Sequence, residues 1–333
     1  MLRLPPHETS FPTSIREAVA QRVSAGAAGA YVAGGTDLYP NMKRRQQEPK
    51  RVIDVRRIPE LNRLEVAADG TLVIGAGVAL TRFLRDARVR ADWPALAHSA
   101  SEISTPLLQN MGTVGGNLLL DTRCNYYDQG FEWRKAINFC MKKDGDTCWV
   151  APSSPRCWAV QSSDLVPVMV ALDARVVLAG PDGERTIPAS ALYHDDGMAF
   201  LTKRPEELLV RVEVPALAGA RASYRKLRRR GAFDFPVLGV AAWAAFDGAG
   251  KVAAARIVLG AVGSHPKLVV DAAAVLIGGT LDDDQLDEAA RLAGKLAKPL
   301  DNTDFTIGWR KDMASVFVRR ALEGLRPSRP RAS

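Results

Sequence analysis

Tyr31-Val32-Ala33-Gly34-Gly35-Thr36-Asp37-Leu38 and, later in the chain, Gly112-Thr113-Val114-Gly115-Gly116-Asn117 are the stretches on which the fold turns. In the first, a short β-prone run ends in a Gly-Gly pair and leads toward a helical turn. Glycine reaches positive φ and lets the backbone come close to a ligand. Successive amide groups then face a concavity that suits a pyrophosphate. The second stretch offers the same chemistry again, with a hydroxyl and a side-chain amide. Neither is a Rossmann fingerprint or a P-loop. One Gly-Gly pair is commonly a plain turn, but two such loops in one chain can clamp a single pyrophosphate from both sides.

The surrounding chain is long enough to hold them on a scaffold. Its 333 residues are 47% hydrophobic, which suits two or three domains with sizeable cores. It has no uninterrupted apolar run of about 18 residues, so no membrane span is expected. Met1 to Ser14 has no apolar stretch behind a basic start, and the expected location is cytoplasmic. The net charge of +8 comes in short clusters: Lys43 to Arg45, Arg225 to Arg230 apart from Leu227, and Arg326, Arg329 and Arg331. None carries a nucleic-acid motif, so these read as solvated faces or as partners for an anionic cofactor or an acidic protein.

The element pattern is α+β. A helix is expected over Thr13–Ala25, strands at Tyr31–Ala33 and Arg51–Val55, and a hairpin over Leu64–Ile74 around Asp69-Gly70. Helices follow near Leu80–Val89 and Pro94–Ile103. Ser163-Asp164 is placed to cap a short apolar helix running to Leu172. Arg175–Leu178 and Arg185–Pro188 read as paired strands, with Leu208–Val214 as another. Beyond Ala220, Ser223–Leu227, Val237–Phe246 and Val252–Leu259 read as a three-stranded antiparallel meander. Helices at Val269–Ile277, Asp283–Leu296 and Asp304–Leu322 follow it. The expected divisions are 1–60, 61–218 and 219–325, with a disordered Pro- and Arg-rich tail at 326–333.

All four cysteines fall between Cys124 and Cys157, which marks one site. Cys124, Cys140, Cys148 and Cys157 are separated by 15, 7 and 8 residues. Four thiolates suit a tetrahedral zinc or an iron–sulfur cluster, and the spacing does not choose between them. Trp133, Trp149 and Trp158 share the segment with Tyr126, Tyr127, Phe131 and Phe139. Such an apolar shell can limit solvent access around a redox centre, or simply pack a loop that has no other core.

The two glycine loops, with Met42-Lys43, Ser163-Asp164-Leu165-Val166-Pro167 and Tyr224-Arg225-Lys226-Leu227, occur in this order across most of the chain. In this the sequence resembles the flavin subunits of xanthine dehydrogenase and carbon monoxide dehydrogenase type molybdenum enzymes. The resemblance implies a two-subdomain FAD-binding fold (PCMH type) followed by a C-terminal α+β domain. It implies FAD held by Val32 to Leu38, Ser104, Gly112, Thr113, Gly115, Gly116, Asn117, Asp164, Leu209 and Lys226. The pyrophosphate would lie on the glycine loops, the nucleotide near Asp164, and the flavin ring near Lys226.

In the wider family the Gly-Gly-Asn loop runs almost directly into the Asp-Leu-x-Pro segment. Here residues 121–162 intervene and carry all four cysteines. The insert resembles that of the 4-hydroxybenzoyl-CoA reductase branch, which implies a 4Fe–4S cluster on Cys124, Cys140, Cys148 and Cys157. The implied function is electron transfer from a ferredoxin-like donor, through cluster and FAD, to 2Fe–2S and molybdopterin subunits in a dimer of heterotrimers. The alternative is a flavin subunit that reduces NAD or another acceptor, with the cysteines holding structural zinc. No nucleic acid and no membrane are expected as partners. Because both glycine loops lie outside the insert, loss of a cysteine is expected to cost most of the iron and to affect FAD less.

Overall fold

The computed structural model describes residues 2–326. Beyond Arg326 itself, the expected tail lies outside the described residues. The first layer is a parallel sheet of β1 (Glu8–Ser10), β2 (Gly29–Val32) and β3 (Arg51–Asp54), in the order β1-β3-β2. Parallel strands need crossover connections, and the helix Ile15–Ala25 connects β1 to β2, which flank β3. Its start is fixed reciprocally: the Glu17 amide donates to Ser14 Oγ at 3.2 Å, and the Thr13 amide donates to the Glu17 carboxylate at 2.8 Å. Ala18 and Val19 on its inner face pack with Ile53, Ile58 and Leu61.

The second sheet is antiparallel: β4 (Leu64–Val66), β5 (Leu72–Gly75), β6 (Arg175–Gly180), β7 (Gly183–Pro188) and β8 (Leu208–Val214), ordered β4-β5-β8-β6-β7. The third comprises β9 (Arg221–Leu227), β10 (Leu238–Phe246), β11 (Val252–Gly260) and β12 (Lys267–Leu268), also antiparallel. The helices Pro94–Ser101 and Leu165–Ala171 lie between these two sheets. One core joins Leu96, Val168 and Met169 of the helices to Ile74 and Val212 on one side and to Ala241 and Val258 on the other. Each such fully buried aliphatic side chain contributes about 1.5–3 kcal/mol. The other face of the third sheet carries a second core, where Val240, Ala242 and Ile257 meet Leu286, Ala290, Val318 and Leu322.

Several elements differ from the sequence expectation. The C-terminal sheet has four strands rather than three, because the two-residue β12 pairs with the edge of β11. The Glu8–Ser10 strand has no apolar pattern to announce it. The expected helix Leu80–Val89 is two helices, Leu80–Arg85 and Ala87–Asp92. Asp86 takes an extended backbone there, and its carboxylate accepts from the amides of Arg88 and Val89. The second glycine stretch is itself a short helix, Val114–Leu118, capped by the Thr113 hydroxyl.

The C-terminal domain is tied to the rest by a buried polar knot. Lys226 Nζ donates to Asp164 Oδ2 at 2.9 Å and to the Glu102 carbonyl at 2.8 Å. Tyr224 Oη donates to Asp164 Oδ1 at 2.7 Å. Burial pushes the Asp164 carboxyl up to about 6, against the pull of Lys226. Its folded form therefore keeps a proton that the unfolded chain has lost. That contribution to stability is complete below 3.8 and lost as the pH rises through about 6. Lys226→Met should cost about 3–5 kcal/mol of unfolding free energy at pH 8, because it strands a buried charge. The cost should shrink at pH 5, where Asp164 takes a proton. Denaturant titrations at the two pH values test this, and equal losses would contradict it.

Candidate functional site

The two glycine loops meet. An ideal Cβ built on Gly34 would lie 1.7 Å from the Met111 carbonyl oxygen, so only glycine allows this contact. Gly35 has φ +70, and a side chain there would also strike the Tyr39 ring. Gly115 lies against Ala76, with no room for a Cβ. Between the loops runs a cavity of about 470 Å³, within the ~300–1,000 Å³ range of small-molecule sites. Its wall includes Val32, Ala33, Gly34, Gly35, Thr36, Asp37 and Leu38 from the first loop. From the second it includes Gly112, Thr113, Gly115, Gly116 and Asn117; Ser104 and Leu209 also line it.

The loops are chemically unequal. The amides of Gly35, Thr36 and Asp37 have no protein acceptor among the described residues. In the second loop the Val114 amide donates to the Val78 carbonyl, Gly115 to Ala76 and Asn117 to Thr113. The Gly116 amide donates to Thr113 Oγ1 at 3.0 Å. The longer run of open amides is thus in the first loop; in the second only the Thr113 amide lacks an acceptor among the described residues, and that loop mainly supplies close approach. Asn117 Oδ1 accepts from Ser163 Oγ at 2.6 Å and from the Leu165 amide at 3.2 Å, which fixes the loop to the next helix.

Asp164 and Lys226 stand apart from the other expected FAD residues. Their side chains are 4% and 1% exposed and are engaged with each other, Tyr224 and Glu102, and neither lines the cavity. Ser163, not Asp164, caps the helix Leu165–Ala171, accepting from the Val166 amide at 3.2 Å. Several wall residues carried no signal in the sequence. Lys203 sits in a Thr-Lys-Arg-Pro run that reads as surface, yet it lines the cavity with Arg22, and burial pulls its ammonium down to about 8. Phe200 and Phe235 also line the wall, from segments with no regular pattern.

The cysteine insert packs against this site. Mutual backbone hydrogen bonds between Arg123 and Val160 bring Cys124 beside Cys157, and the Met141 amide donates to the Thr147 carbonyl, bringing Cys140 beside Cys148. All four thiols are buried and line one small cavity with Tyr127 and Trp149. Burial pushes the Cys124 thiol up to about 12 and Cys157 to about 11, so a bound cation is what would make them thiolates. Among the described residues, no three His, Cys, Asp or Glu side chains form a ready coordination set for a single ion. The expected ligand set is therefore gathered at one cavity but not closed around one point.

A chain built this way is a two-part flavin-binding protein with an added thiol-lined pocket. Residues 6–217 match the family described as the FAD binding domain in molybdopterin dehydrogenase, and residues 222–325 match the CO dehydrogenase flavoprotein C-terminal domain. The chain is 35% identical to the aldehyde oxidoreductase FAD-binding subunit of Escherichia coli, over 75% of its own length and 79% of the relative's. It is 29% identical to the carbon monoxide dehydrogenase medium chain of Hydrogenophaga pseudoflava, over 96% and 97%. A crystal structure of a Cu,Mo-CO dehydrogenase superposes with a TM-score of 0.80 at 27% identity, covering 97% of this chain and 98% of that one. The chain belongs to the family of FAD-binding medium subunits of molybdenum hydroxylases. The expected FAD fold and the antiparallel C-terminal sheet with helices agree with this. No helix among the described residues is long and apolar enough to cross a membrane.

Gly34→Ala should weaken FAD retention tenfold or more, about 1.4 kcal/mol, since it forces Met111 away. Gly248→Ala, where a Cβ meets nothing within 4 Å, should keep its flavin. Flavin-to-protein ratios after gel filtration check both, and a Gly34→Ala protein with full flavin would contradict the site.

Proposed function

We infer that this chain is the FAD and 4Fe–4S electron-transfer subunit of a molybdenum-containing complex that resembles 4-hydroxybenzoyl-CoA reductase. The observation that carries the reading is the four buried thiols of the insert, gathered at one cavity beside the flavin wall. The donor set is sulfur alone, which suits iron–sulfur chemistry or zinc. The choice of a cluster over zinc rests on the resemblance of the insert to that of the 4-hydroxybenzoyl-CoA reductase branch.

Bound FAD and a bound cluster would supply the redox chemistry; the chain binds, orients and insulates them. Amides of Gly35, Thr36 and Asp37 would hold the pyrophosphate, and Thr36 adds a hydroxyl beside them. Cys124, Cys140, Cys148 and Cys157 would hold the cluster. Of the insert's aromatic residues, Tyr126, Tyr127 and Trp149 line the thiol cavity. The electron donor would be a ferredoxin-like protein. The partners would be a 2Fe–2S subunit and a molybdopterin subunit, because the four cysteines here leave none for further clusters; the resemblance implies assembly as a dimer of heterotrimers.

Metal and flavin analysis of anaerobically purified protein tests this. About four iron per chain is expected from one cubane on four cysteines, with all the flavin released by acid. Each Cys→Ser variant should lose most of its iron. About one zinc per chain and no iron would instead make the insert a structural staple and overturn the cluster. The chain freed of partner subunits should accept electrons from a low-potential donor yet leave 4-hydroxybenzoyl-CoA unreduced; dehydroxylation by this chain alone would contradict the relay.

A further inference from the structure

The insert is joined to the first glycine loop by an unusual density of buried polar links. Arg123, next to the first cysteine, pairs through Nη2 with Asp37 of the loop itself, and through Nη1 with Asp128 at 3.0 Å. Its guanidinium also stacks on Phe235, which lines the flavin cavity, 4.4 Å from the ring centre. Without Arg123, Asp37 would be a partly buried carboxylate beside the unfilled amides with no cationic partner, already facing Asp121 and Asp128. Such a charge would oppose an anionic ligand in the nest.

The helix that follows the loop, Leu38–Lys43, is held at its other end. It terminates with Arg45 in the left-handed region, φ 61. Arg134, fully buried on the insert helix Phe131–Ala136, donates through Nη2 to the Arg44 carbonyl at 2.8 Å and to the Arg45 carbonyl at 3.0 Å. The Arg44 carbonyl is at the helix C-cap and that of Arg45 just beyond it, and a guanidinium suits both their lone pairs and the helix dipole. Gln46 Nε2 donates to the Tyr127 carbonyl at 2.6 Å, and Gln47 Nε2 donates to Asp121 Oδ2 at 3.1 Å. Asp121 is also held by Tyr127 Oη at 3.0 Å and by Lys142 Nζ at 2.9 Å, two residues that line the cysteine cavity.

We propose that Arg123 and Arg134 are positioning residues for FAD, and that the cysteine insert is a working part of the flavin site. The insert sets the first loop from both ends: Arg123 neutralises Asp37 beside the nest, and Arg134 anchors the helix behind it. Occupancy of the cysteine cavity orders the insert, and the two binding events are therefore coupled. This adds to the sequence expectation, in which loss of a cysteine affects FAD less than iron, a stated route by which FAD is affected. The proposal rests on the cavity holding FAD and holds whichever metal fills the insert.

The test measures FAD release from the purified, metal-loaded protein by the recovery of free-flavin fluorescence on dilution. Arg123→Gln should release FAD on the order of tenfold faster, within the ~5–150-fold range of ordinary site coupling, and Arg123→Lys should restore most of the retention. Arg134→Met should also speed release. Cys124→Ser should do so with every polar link intact. Reciprocity requires that saturating FAD slow the loss of metal to a chelator in the wild type, and much less so in Arg123→Gln. A purely structural role would lower thermal stability in Arg123→Gln and Arg123→Lys alike, with no rescue. If Arg123→Gln, Arg134→Met and Cys124→Ser all keep wild-type release while Gly34→Ala loses its flavin, the site stands and this proposal falls. If Gly34→Ala also keeps its flavin, the cavity assignment itself is wrong.

Discussion

The contact between the Gly34 backbone and the Met111 carbonyl is the constraint on which the arrangement depends. It is a contact between two loops. One leaves the parallel sheet at Val32, and the other follows the short helix Pro106–Gln109. Any side chain at position 34 would drive them apart and open the cavity along its length. Once they touch, the first loop cannot relax to satisfy its own amides, because Gly35 is already committed to the left-handed region. The open donors are thus a consequence of packing as well as of local sequence.

Charge follows from the same geometry. The chain has a net +8, yet much of its arginine is spent within the fold. Arg228 pairs with Glu102, Arg229 with Asp304 and Arg230 with Asp234, so the most basic run in the sequence is largely paired. Arg310, 1% exposed, is used wholly for structure: its Nη2 donates to the carbonyls of Val237 and Ala261, which ties the last helix to the third sheet. Beside the first glycine loop, Asp37, Arg123 and Asp121 alternate in sign. A buried network of this kind contributes specificity of arrangement more than net stability.

Much of this was legible in the sequence, for identifiable reasons. The glycine loops announced themselves because positive φ and close approach are demands that few residue types meet. The β6–β7 hairpin and the helix Leu165–Ala171 were legible from turn chemistry and an unbroken apolar run. The strands Glu8–Ser10 and Lys267–Leu268 were not, because two or three residues carry no periodicity and their pairing is decided by the neighbouring strand. The unequal chemistry of the two loops was also hidden. Whether an amide is free depends on Val78 and Ala76, which lie far from the loop in sequence. The cysteines were visible as a group. Their gathering at one cavity depends on the Arg123–Val160 bridge and on left-handed turns at Asn138, Phe139 and Asp144, which no spacing rule encodes.

The central claim is that the first loop is an unfilled anion nest and the second is a packed wall. Amide hydrogen exchange, followed residue by residue in flavin-stripped and FAD-reloaded protein, tests it most directly. The account predicts fast exchange at Gly35, Thr36 and Asp37 without FAD and strong slowing when FAD binds. It predicts that Val114, Gly115 and Asn117 are already protected and change little. Slow exchange at residues 35–37 before FAD is added, or protection gained only in the second loop, would contradict it.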